Sequence, residues 1–255
     1  QPRDVRVLIG DTPSGSQVFW DPHGADAPLN NFGMLITGDS GAGKTQVIKA
    51  VIAGVIDAGL PVCIFDFKND YGTDFAKREG LKVYDIDREG LPFNPLSLVP
   101  DDRGEAQPIR QVHELASILR RIFTLGDQQE AQLKKAMIAA YDEAGIRPDA
   151  RHIAAAVQGA PGFGAVKEVL ERDGKAEKLL NRLSPLFDLN LFPSGDPGTT
   201  FERLVSDRVV LDLHRLPDDR IKAALSEFMI VRLRGYMLRG DQPRQLRRLL
   251  VLDEA

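Results

Sequence analysis

The sequence predicts an α/β fold in which helices cover a parallel sheet, with a β hairpin before the sheet and a helical insertion within it. Short apolar runs alternate with helical patterns between residues 33 and 86, as expected of a parallel sheet covered on both faces. Similar apolar runs return at 208–213 and 247–252, whereas residues 107–187 show helical patterns throughout. The interruption predicts one sheet with helices inserted after its third core strand.

The composition is that of a globular protein. Of the 255 residues, 43% are hydrophobic and 27% are charged, which argues against a disordered or collagen-like chain. The 33 Lys and Arg face 37 Asp and Glu, and a net charge of −4 excludes a uniformly basic surface but not a local basic stripe. Cys63 is the only cysteine, so an internal disulfide and a cysteine-based zinc site are both excluded.

The sequence also bears on location. No apolar run approaches the ~20 residues that a membrane-spanning helix needs, and the N-terminus has neither a signal-peptide nor a transit-peptide pattern. We therefore expect a cytoplasmic protein without direct membrane insertion. The chain begins at Gln1 rather than Met and stops directly after a strand-like run, so we expect a piece of a longer protein.

The first third of the chain contains the hairpin and three core strands. Its expected elements are strands Val5–Ile9 and Gln17–Trp20, strand Gly33–Thr37, helix Thr45–Ala58, strand Pro61–Phe67, a short helix and strand Lys82–Ile86. Gly59 is suited to ending the helix, because glycine tolerates the left-handed conformation that follows a helix. Strand, helix and strand in this order predict parallel crossovers.

The rest of the chain divides into an insertion and a return to the sheet. The expected helices of the insertion are Pro108–Phe123, Gln128–Ala144, Arg151–Val157, Gly164–Arg172 and Ala176–Phe187. Strand Arg208–Leu213, helix Asp218–Leu238 and strand Arg247–Leu252 follow. We therefore predict three parts, namely 1–104 with the hairpin and the first half of the core, 105–200 as the helical insertion, and 201–255 as the second half of the core.

Residues 38–45, GDSGAGKT, match the phosphate-binding pattern G-x-x-x-x-G-K-[ST] in full. The predicted strand before the motif and the predicted helix after it are the flanks that the pattern requires. Backbone N–H groups of such a loop surround phosphates, Lys44 reaches the β- and γ-phosphates, and the Thr45 hydroxyl binds Mg²⁺. The expected nucleotide-binding residues are Gly38, Asp39, Ser40, Gly41, Ala42, Gly43, Lys44, Thr45 and Gln46.

Two acids follow the last apolar run, at Asp253 and Glu254. After a full phosphate loop, Asp253 is predicted to hold Mg²⁺ and Glu254 to act as the general base for water, with Lys44 completing the catalytic set. The alternative is two solvated acids at a strand end. Adjacent acids are typical of P-loop ATPases with an additional strand between the phosphate-loop strand and the acidic strand, and Val209–Leu213 is the expected additional strand.

Asp66 ends the predicted strand Pro61–Phe67. Ligands of open α/β sheets bind at the carboxyl ends of the strands, so Asp66 is a candidate nucleotide contact and the loop Lys68–Tyr71 a candidate neighbour of the γ-phosphate. The alternative is a connecting loop held by a capping aspartate.

The chain resembles the FtsK–HerA superfamily of DNA-pumping P-loop ATPases. The resemblance rests on GDSGAGKT at 38–45, FDFKNDYG at 65–72, LPFNPL at 91–96 and LLVLDEA at 249–255. In that superfamily the second of these motifs typically reads Asp-x-x-Gly-Glu-Tyr, and here Asn69 replaces the glycine. The resemblance implies a P-loop NTPase fold with a RecA-like sheet, together with ATP and Mg²⁺ as cofactors.

Within the superfamily, VFWDP, FDFKNDYG, the helical insertion and VVLDLHRLP are most similar to DptH, also called DndH. This resemblance implies a DNA translocase in a restriction system for phage defence, directed at DNA without phosphorothioation, with other restriction subunits or a nuclease as partners. Conjugation and type IV secretion ATPases carry a similar insertion and remain an alternative. A nucleotide-gated assembly module that does not hydrolyse ATP is the third interpretation.

The superfamily further implies a ring, commonly a hexamer, with duplex DNA in its channel and an arginine from the neighbouring subunit at each ATP. Clustered arginines are candidates for such contacts because DNA phosphates need several cations. The candidates are Arg232, Arg234, Arg239 and the stretch Arg244–Arg248. The alternative is an ordinary solvated helix face.

Overall fold

The computed structural model describes residues 5–24, 29, 32–98, 103, 105–149, 153–154, 159–192, 201–237 and 245–253. The chain forms two compact units, of which the first comprises residues 1–84, 204–214 and 243–255 and the second 85–203 and 215–242. The domain boundaries predicted after 104 and 200 stay predictions, because a compact unit is not by itself a domain.

The described elements follow one another in a simple order. In the first part of the chain they are β1 (Val7–Asp11), β2 (Gln17–Trp20), α1 (Lys44–Asp57), β3 (Val62–Asp66), α2 (Thr73–Glu79), β4 (Lys82–Asp85) and α3 (Ile86–Glu89). The middle contains β5 (Glu105–Ala106), α4 (Pro108–Phe123), α5 (Asp127–Glu143), β6 (Ile153–Ala154), α6 (Phe163–Asp173) and α7 (Glu177–Asp188). The last elements are α8 (Phe201–Ser206), β7 (Arg208–Asp212), α9 (Asp219–Met237) and β8 (Leu249–Asp253).

The predicted N-terminal hairpin is confirmed. Strands β1 and β2 pair antiparallel, with a register shift between Leu8 and Gly10. Buried Val7 and Trp20 join the core of the first unit. A Cβ atom at Gly54 of α1 would lie 2.4 Å from Val7 Cγ2, so glycine permits the close approach of this helix to the hairpin.

The four-stranded sheet has the order β4-β7-β3-β8. Strand β3 pairs parallel with both β7 and β8, and all five of its residues are buried. A continuous apolar strand of this kind is typical of the centre of a sheet covered on both faces. The α/β fold with a parallel sheet is therefore confirmed.

Two details of the sheet prediction are wrong. Gly33–Thr37 is not a strand, and Leu35 at its centre is 88% exposed. A short apolar run indicates a tendency to be buried, but a strand also needs a neighbour to pair with. The expected position of Val209–Leu213 is also wrong, since β7 pairs with β3 on the side away from β8. The order of strands along the chain does not fix their order in space.

The second unit is mainly helical, as predicted for the insertion. Helices α4, α5, α6 and α7 confirm four of the five expected helices, and α9 confirms Asp218–Leu238, each within a few residues. The helix expected over Arg151–Val157 is wrong at Ile153–Ala154, where β6 pairs antiparallel with β5. Backbone pairing of these two residues with Glu105–Ala106 replaces the helical bonds, and the other five residues lie outside the described part.

The LPFNPL segment belongs to the packing of the second unit. The Asn94 side chain donates to the Pro161 carbonyl over 2.9 Å and accepts from Leu96 N–H over 3.0 Å. Gln111 on α4 donates to the Pro95 carbonyl over 2.8 Å. These buried amides satisfy backbone groups of a turn that forms no regular element.

None of the helices in the described part has the length and apolar character needed to cross a membrane.

Candidate active site

The phosphate-loop motif forms an open turn at the start of α1. Gly41 and Gly43 have φ angles of 79° and 87°, in the left-handed region that favours glycine. Helix α1 begins at Lys44, and no described side chain caps its N-terminus. Gln46 N–H donates to the Gly43 carbonyl over 3.0 Å, which leaves the N–H groups of Lys44 and Thr45 and the positive end of the helix dipole for an anion. Gln46 is exposed on the first turn of α1, and nucleotide binding by residues 38–46 stays a prediction.

The Lys44 ammonium lies across this loop. Its Nζ atom donates to the carbonyl oxygens of Gly38 and Asp39, over 2.8 and 3.0 Å. A Cβ at Gly38 would be 3.3 Å from Ala42 Cβ, so the turn leaves little room for a side chain there. The loop and its cation therefore form one local unit. The carbonyl bonds hold the ammonium at the loop, where a phosphate would also contact it.

Three aspartates end neighbouring strands of the sheet. In the paired register, Asp66 of β3 is opposite Asp212 of β7 on one side and Asp253 of β8 on the other. The structure thus brings the predicted Asp66 and Asp253 to the same edge of the sheet. It also adds Asp212, which the sequence had not singled out. The predicted base, Glu254, lies outside the described residues.

Asp66 holds the loop between β3 and α2. Its side chain is 2% exposed, and Oδ1 accepts from the N–H groups of Lys68 and Asp70, over 3.2 and 3.0 Å. Oδ2 accepts from Tyr71 N–H over 3.0 Å. Burial raises the pKa of the Asp66 carboxyl above its ordinary value, and the backbone N–H groups of the loop oppose this shift. This geometry is that of the capping alternative, and a nucleotide contact at Asp66 stays a prediction.

Asn69 supplies the conformation that glycine would otherwise provide in this loop. Its φ angle is 65°, which asparagine tolerates better than most residues. Its Oδ1 atom approaches Gly72 so closely that a Cβ there would lie 2.6 Å away. The replacement of the superfamily's usual glycine by Asn69 is therefore compatible with a tight loop.

Tyr71 connects this loop to the last strand. Its hydroxyl donates to Asp253 Oδ2 over 2.7 Å, and the whole residue is 0% exposed. Burial raises the pKa of Tyr71, and the hydrogen bond and negative charge of Asp253 raise it further. The hydroxyl therefore stays protonated and acts as a donor. The sequence had assigned no role of its own to Tyr71, although its place in FDFKNDYG was the available signal.

Asp212 has a partner of its own. Its Oδ1 atom lies within hydrogen-bonding distance of His214 Nδ1 and also accepts from His214 N–H over 3.2 Å. The pairing with Asp212 is consistent with a structural role at the end of β7.

The chemistry of the donors fits Mg²⁺. The Thr45 hydroxyl and the Asp253 carboxylate are hard oxygen ligands, the type that this ion prefers. The described residues contain no group of three His, Cys, Asp or Glu side chains placed to hold a metal by themselves. A Mg²⁺ ion that accompanies a nucleotide is usually held by one or two protein ligands together with phosphate oxygens.

The candidate arginines fall into different environments. Arg232 donates to the Ser97 carbonyl over 2.6 Å, and Arg248 donates to the Val205 carbonyl over 3.0 Å, so both take part in internal packing. Arg234 and Arg247 are exposed. Arg239 and Arg244 lie outside the described residues. Of the described candidates, Arg234 and Arg247 thus have the exposure that a contact with another molecule requires.

The chain is similar to known proteins in fold and in sequence. VirB4 of Thermoanaerobacter pseudethanolicus superposes with a TM-score of 0.69 at 21% identity, over 91% of this chain and 63% of that one. Protein TraC of Escherichia coli K12 is 26% identical over 236 residues, 88% of this chain and 25% of TraC. An uncharacterized protein of Bacillus anthracis is 25% identical over 159 residues, 56% of this chain and 24% of its own length.

The chain thus spans about a quarter of the length of these curated relatives. The likeness to VirB4, at this level of identity, concerns the fold, and the α/β fold with a parallel sheet is consistent with a P-loop NTPase. Residues 32–230 match the family described as DUF87, Helicase HerA, central domain. This match covers the phosphate loop, three strands of the sheet and all the described helices of the insertion, and the chain belongs to the HerA central-domain family.

Proposed function

We propose that the chain is the ATP-hydrolysing part of a motor that acts on duplex DNA. The observation that carries the proposal is the open phosphate loop with Lys44, found in the same compact unit as the acidic end of β8 at Asp253. Membership of the HerA family supports this function.

The residues have distinct parts in the proposed reaction. The N–H groups of residues 38–45 and the N-terminus of α1 bind the phosphates, and Lys44 offsets their negative charge as it develops on the leaving group. Thr45 and Asp253 are the residues that would hold Mg²⁺. When bound, this ion neutralises charge on the β- and γ-phosphates and orients them. Glu254 is the proposed acceptor of a proton from the attacking water.

The proposed assembly is a ring with DNA in a central channel. Its proposed location is the cytoplasm. These features rest on the superfamily resemblance. Among the described members of the candidate set, exposed Arg234 and Arg247 are the arginines proposed to contact DNA or a neighbouring subunit. The −4 net charge is compatible with this arrangement, because a ring needs basic residues only along its channel.

A second candidate is an ATPase of a conjugation or type IV secretion machine. The similarity to TraC over 88% of the chain and to the VirB4 fold favours it. The restriction function suggested by the DptH resemblance is a third and finer proposal, and it rests on the sequence motifs alone.

ATP turnover of the intact protein, with and without duplex DNA of increasing length, tests the proposed function. We expect hydrolysis that duplex DNA stimulates, and more strongly as the duplex lengthens. Nucleotide binding without hydrolysis would contradict the proposal and favour the assembly module. Hydrolysis that does not respond to duplex DNA would contradict a DNA motor and favour a secretion ATPase whose cargo includes protein.

A further inference from the structure

Tyr71 lies between the two elements that carry the nucleotide and metal residues. Its ring packs edge-on against Phe75 of α2, with 5.8 Å between ring centroids. Lys49 of α1 places its Nζ atom 5.7 Å from the Tyr71 ring centroid. The ring thus packs on α2 and lies beside the helix that starts at the phosphate loop, while the hydroxyl reaches the end of β8.

The backbone and the hydroxyl of Tyr71 are both hydrogen-bonded to aspartates. Tyr71 N–H donates to Asp66 Oδ2 over 3.0 Å, and Tyr71 hydroxyl donates to Asp253 Oδ2 over 2.7 Å. Since Asp66 and Asp253 are paired positions of adjacent strands, one residue bridges the acidic ends of β3 and β8. A chain of hydrogen bonds in which each polar group has its partner restricts the rotation of the carboxylate at its end, here Asp253.

The hydrogen bond gives the two Asp253 oxygens different roles. A carboxylate that accepts a neutral donor on one oxygen keeps its negative charge and still has a second oxygen for a cation. Groups that orient a metal ligand in this way typically raise metal affinity by roughly 10–100-fold. An ordinary core tyrosine would need an acceptor too, but a backbone carbonyl would serve, as Leu96 does for the buried Tyr141.

We propose that Tyr71 is a positioning residue for the metal site, fixing Asp253 through Oδ2 so that its other oxygen serves Mg²⁺. This inference rests on the proposed function, since it assumes that Asp253 holds the ion that accompanies ATP. It goes beyond that function by giving the β3–α2 loop a defined task, namely to set metal affinity without contacting the nucleotide.

The test measures how tightly Mn²⁺, as a probe for Mg²⁺, binds to the intact protein saturated with a non-hydrolysable ATP analogue. The electron spin resonance signal of free Mn²⁺ reports the affinity. Tyr71→Phe keeps the ring and removes the hydroxyl. We expect Mn²⁺ affinity to fall roughly 10-fold and affinity for the analogue in EDTA to stay unchanged. The matched control is Tyr141→Phe, which removes another buried tyrosine hydroxyl, in the second unit. It is expected to leave both affinities unchanged.

Unchanged Mn²⁺ affinity in Tyr71→Phe, or an equal loss in Tyr141→Phe, overturns the inference. Failure of the wild-type protein to bind the analogue would contradict the proposed function itself, so the two failures are distinguishable. If Tyr71→Phe does not fold, the protein is prepared without a substitution but with fluorotyrosine in place of tyrosine, and the fluorine resonance of Tyr71 is observed. Mn²⁺ bound with the analogue must then broaden the Tyr71 resonance, and a Tyr71 resonance that stays sharp overturns the inference.

Discussion

The phosphate loop and the β3–α2 loop, residues 67–72, both belong to the first unit, yet their polar groups are used in opposite ways. In the phosphate loop, Gly41 and Gly43 provide the turn, its side chains are largely exposed, and Lys44 bonds only to carbonyls of the loop among the contacts described. In the β3–α2 loop, the N–H groups point inward to Asp66 and Tyr71 is buried.

This difference shows which loop can bind a ligand directly. An exposed loop with available N–H groups can donate them to phosphate, whereas a loop whose N–H groups already bond to a buried carboxylate would lose those bonds on doing so. We therefore expect direct nucleotide contact at residues 38–46 and indirect action from the β3–α2 loop. Substitutions in the first loop should change activity, and substitutions in the second should change stability or metal affinity.

Lys44→Ala should have the largest effect. Removing a cation that stabilises charge in the transition state typically costs roughly 10²–10³-fold in turnover. Because Lys44 makes its described bonds within an exposed loop, the melting temperature should stay within a few degrees. Steady-state ATP hydrolysis and thermal melting check this. Lys178→Ala on the exposed face of α7 is the matched control, and an equal loss of turnover there would contradict the assignment.

Asp66→Ala should instead reduce stability. It leaves three loop N–H groups without their acceptor, and the expected loss of unfolding free energy is about 2–4 kcal/mol. Denaturant unfolding measures this loss, and Asp66→Asn, which keeps one acceptor oxygen, should lose less. Nucleotide affinity of the folded protein without metal should be retained. A variant with wild-type stability and lost affinity would show that Asp66 contacts the nucleotide after all.

Asn69→Ala should have the smallest effect of the three. Alanine at a φ of 65° costs about 1 kcal/mol, because it lacks the short polar side chain whose local hydrogen bonds let asparagine tolerate this conformation. Asn69→Gly, which restores the residue usual in the superfamily, should be close to neutral, since glycine adopts this conformation without strain. The pair is compared by thermal melting. Equal destabilisation by both changes would mean that the Asn69 side chain, rather than its backbone conformation, matters for stability.

The phosphate loop, β3 and the helices of the insertion could be predicted because their signals are local. Residue spacing alone identifies GDSGAGKT, and periodicity alone gave α4 within its observed bounds, Pro108–Phe123. The bond between Tyr71 and Asp253 joins residues 182 positions apart, and no local pattern contains it. The strand predicted at Gly33–Thr37 was wrong for the same reason. The sequence contains its apolar run but does not indicate whether a neighbouring strand pairs with it.

The strand order could not be predicted for a related reason. The apolar runs that form β3, β7 and β8 differ little in sequence, because each is a short apolar run that ends in aspartate. Which of them lies in the middle depends on packing between the sheet and its helices. The sequence therefore indicated that Asp66 and Asp253 share an edge but not that they are paired neighbours.

The central claim is that this chain hydrolyses ATP at the acidic end of β8, and Glu254→Gln in the intact protein tests it most directly. Turnover of wild-type and variant protein is measured together with ATP affinity under the same conditions. We predict that the variant binds ATP with wild-type affinity and loses turnover by roughly 10²–10⁴-fold, the usual contribution of a general base. Wild-type turnover in Glu254→Gln would contradict the account.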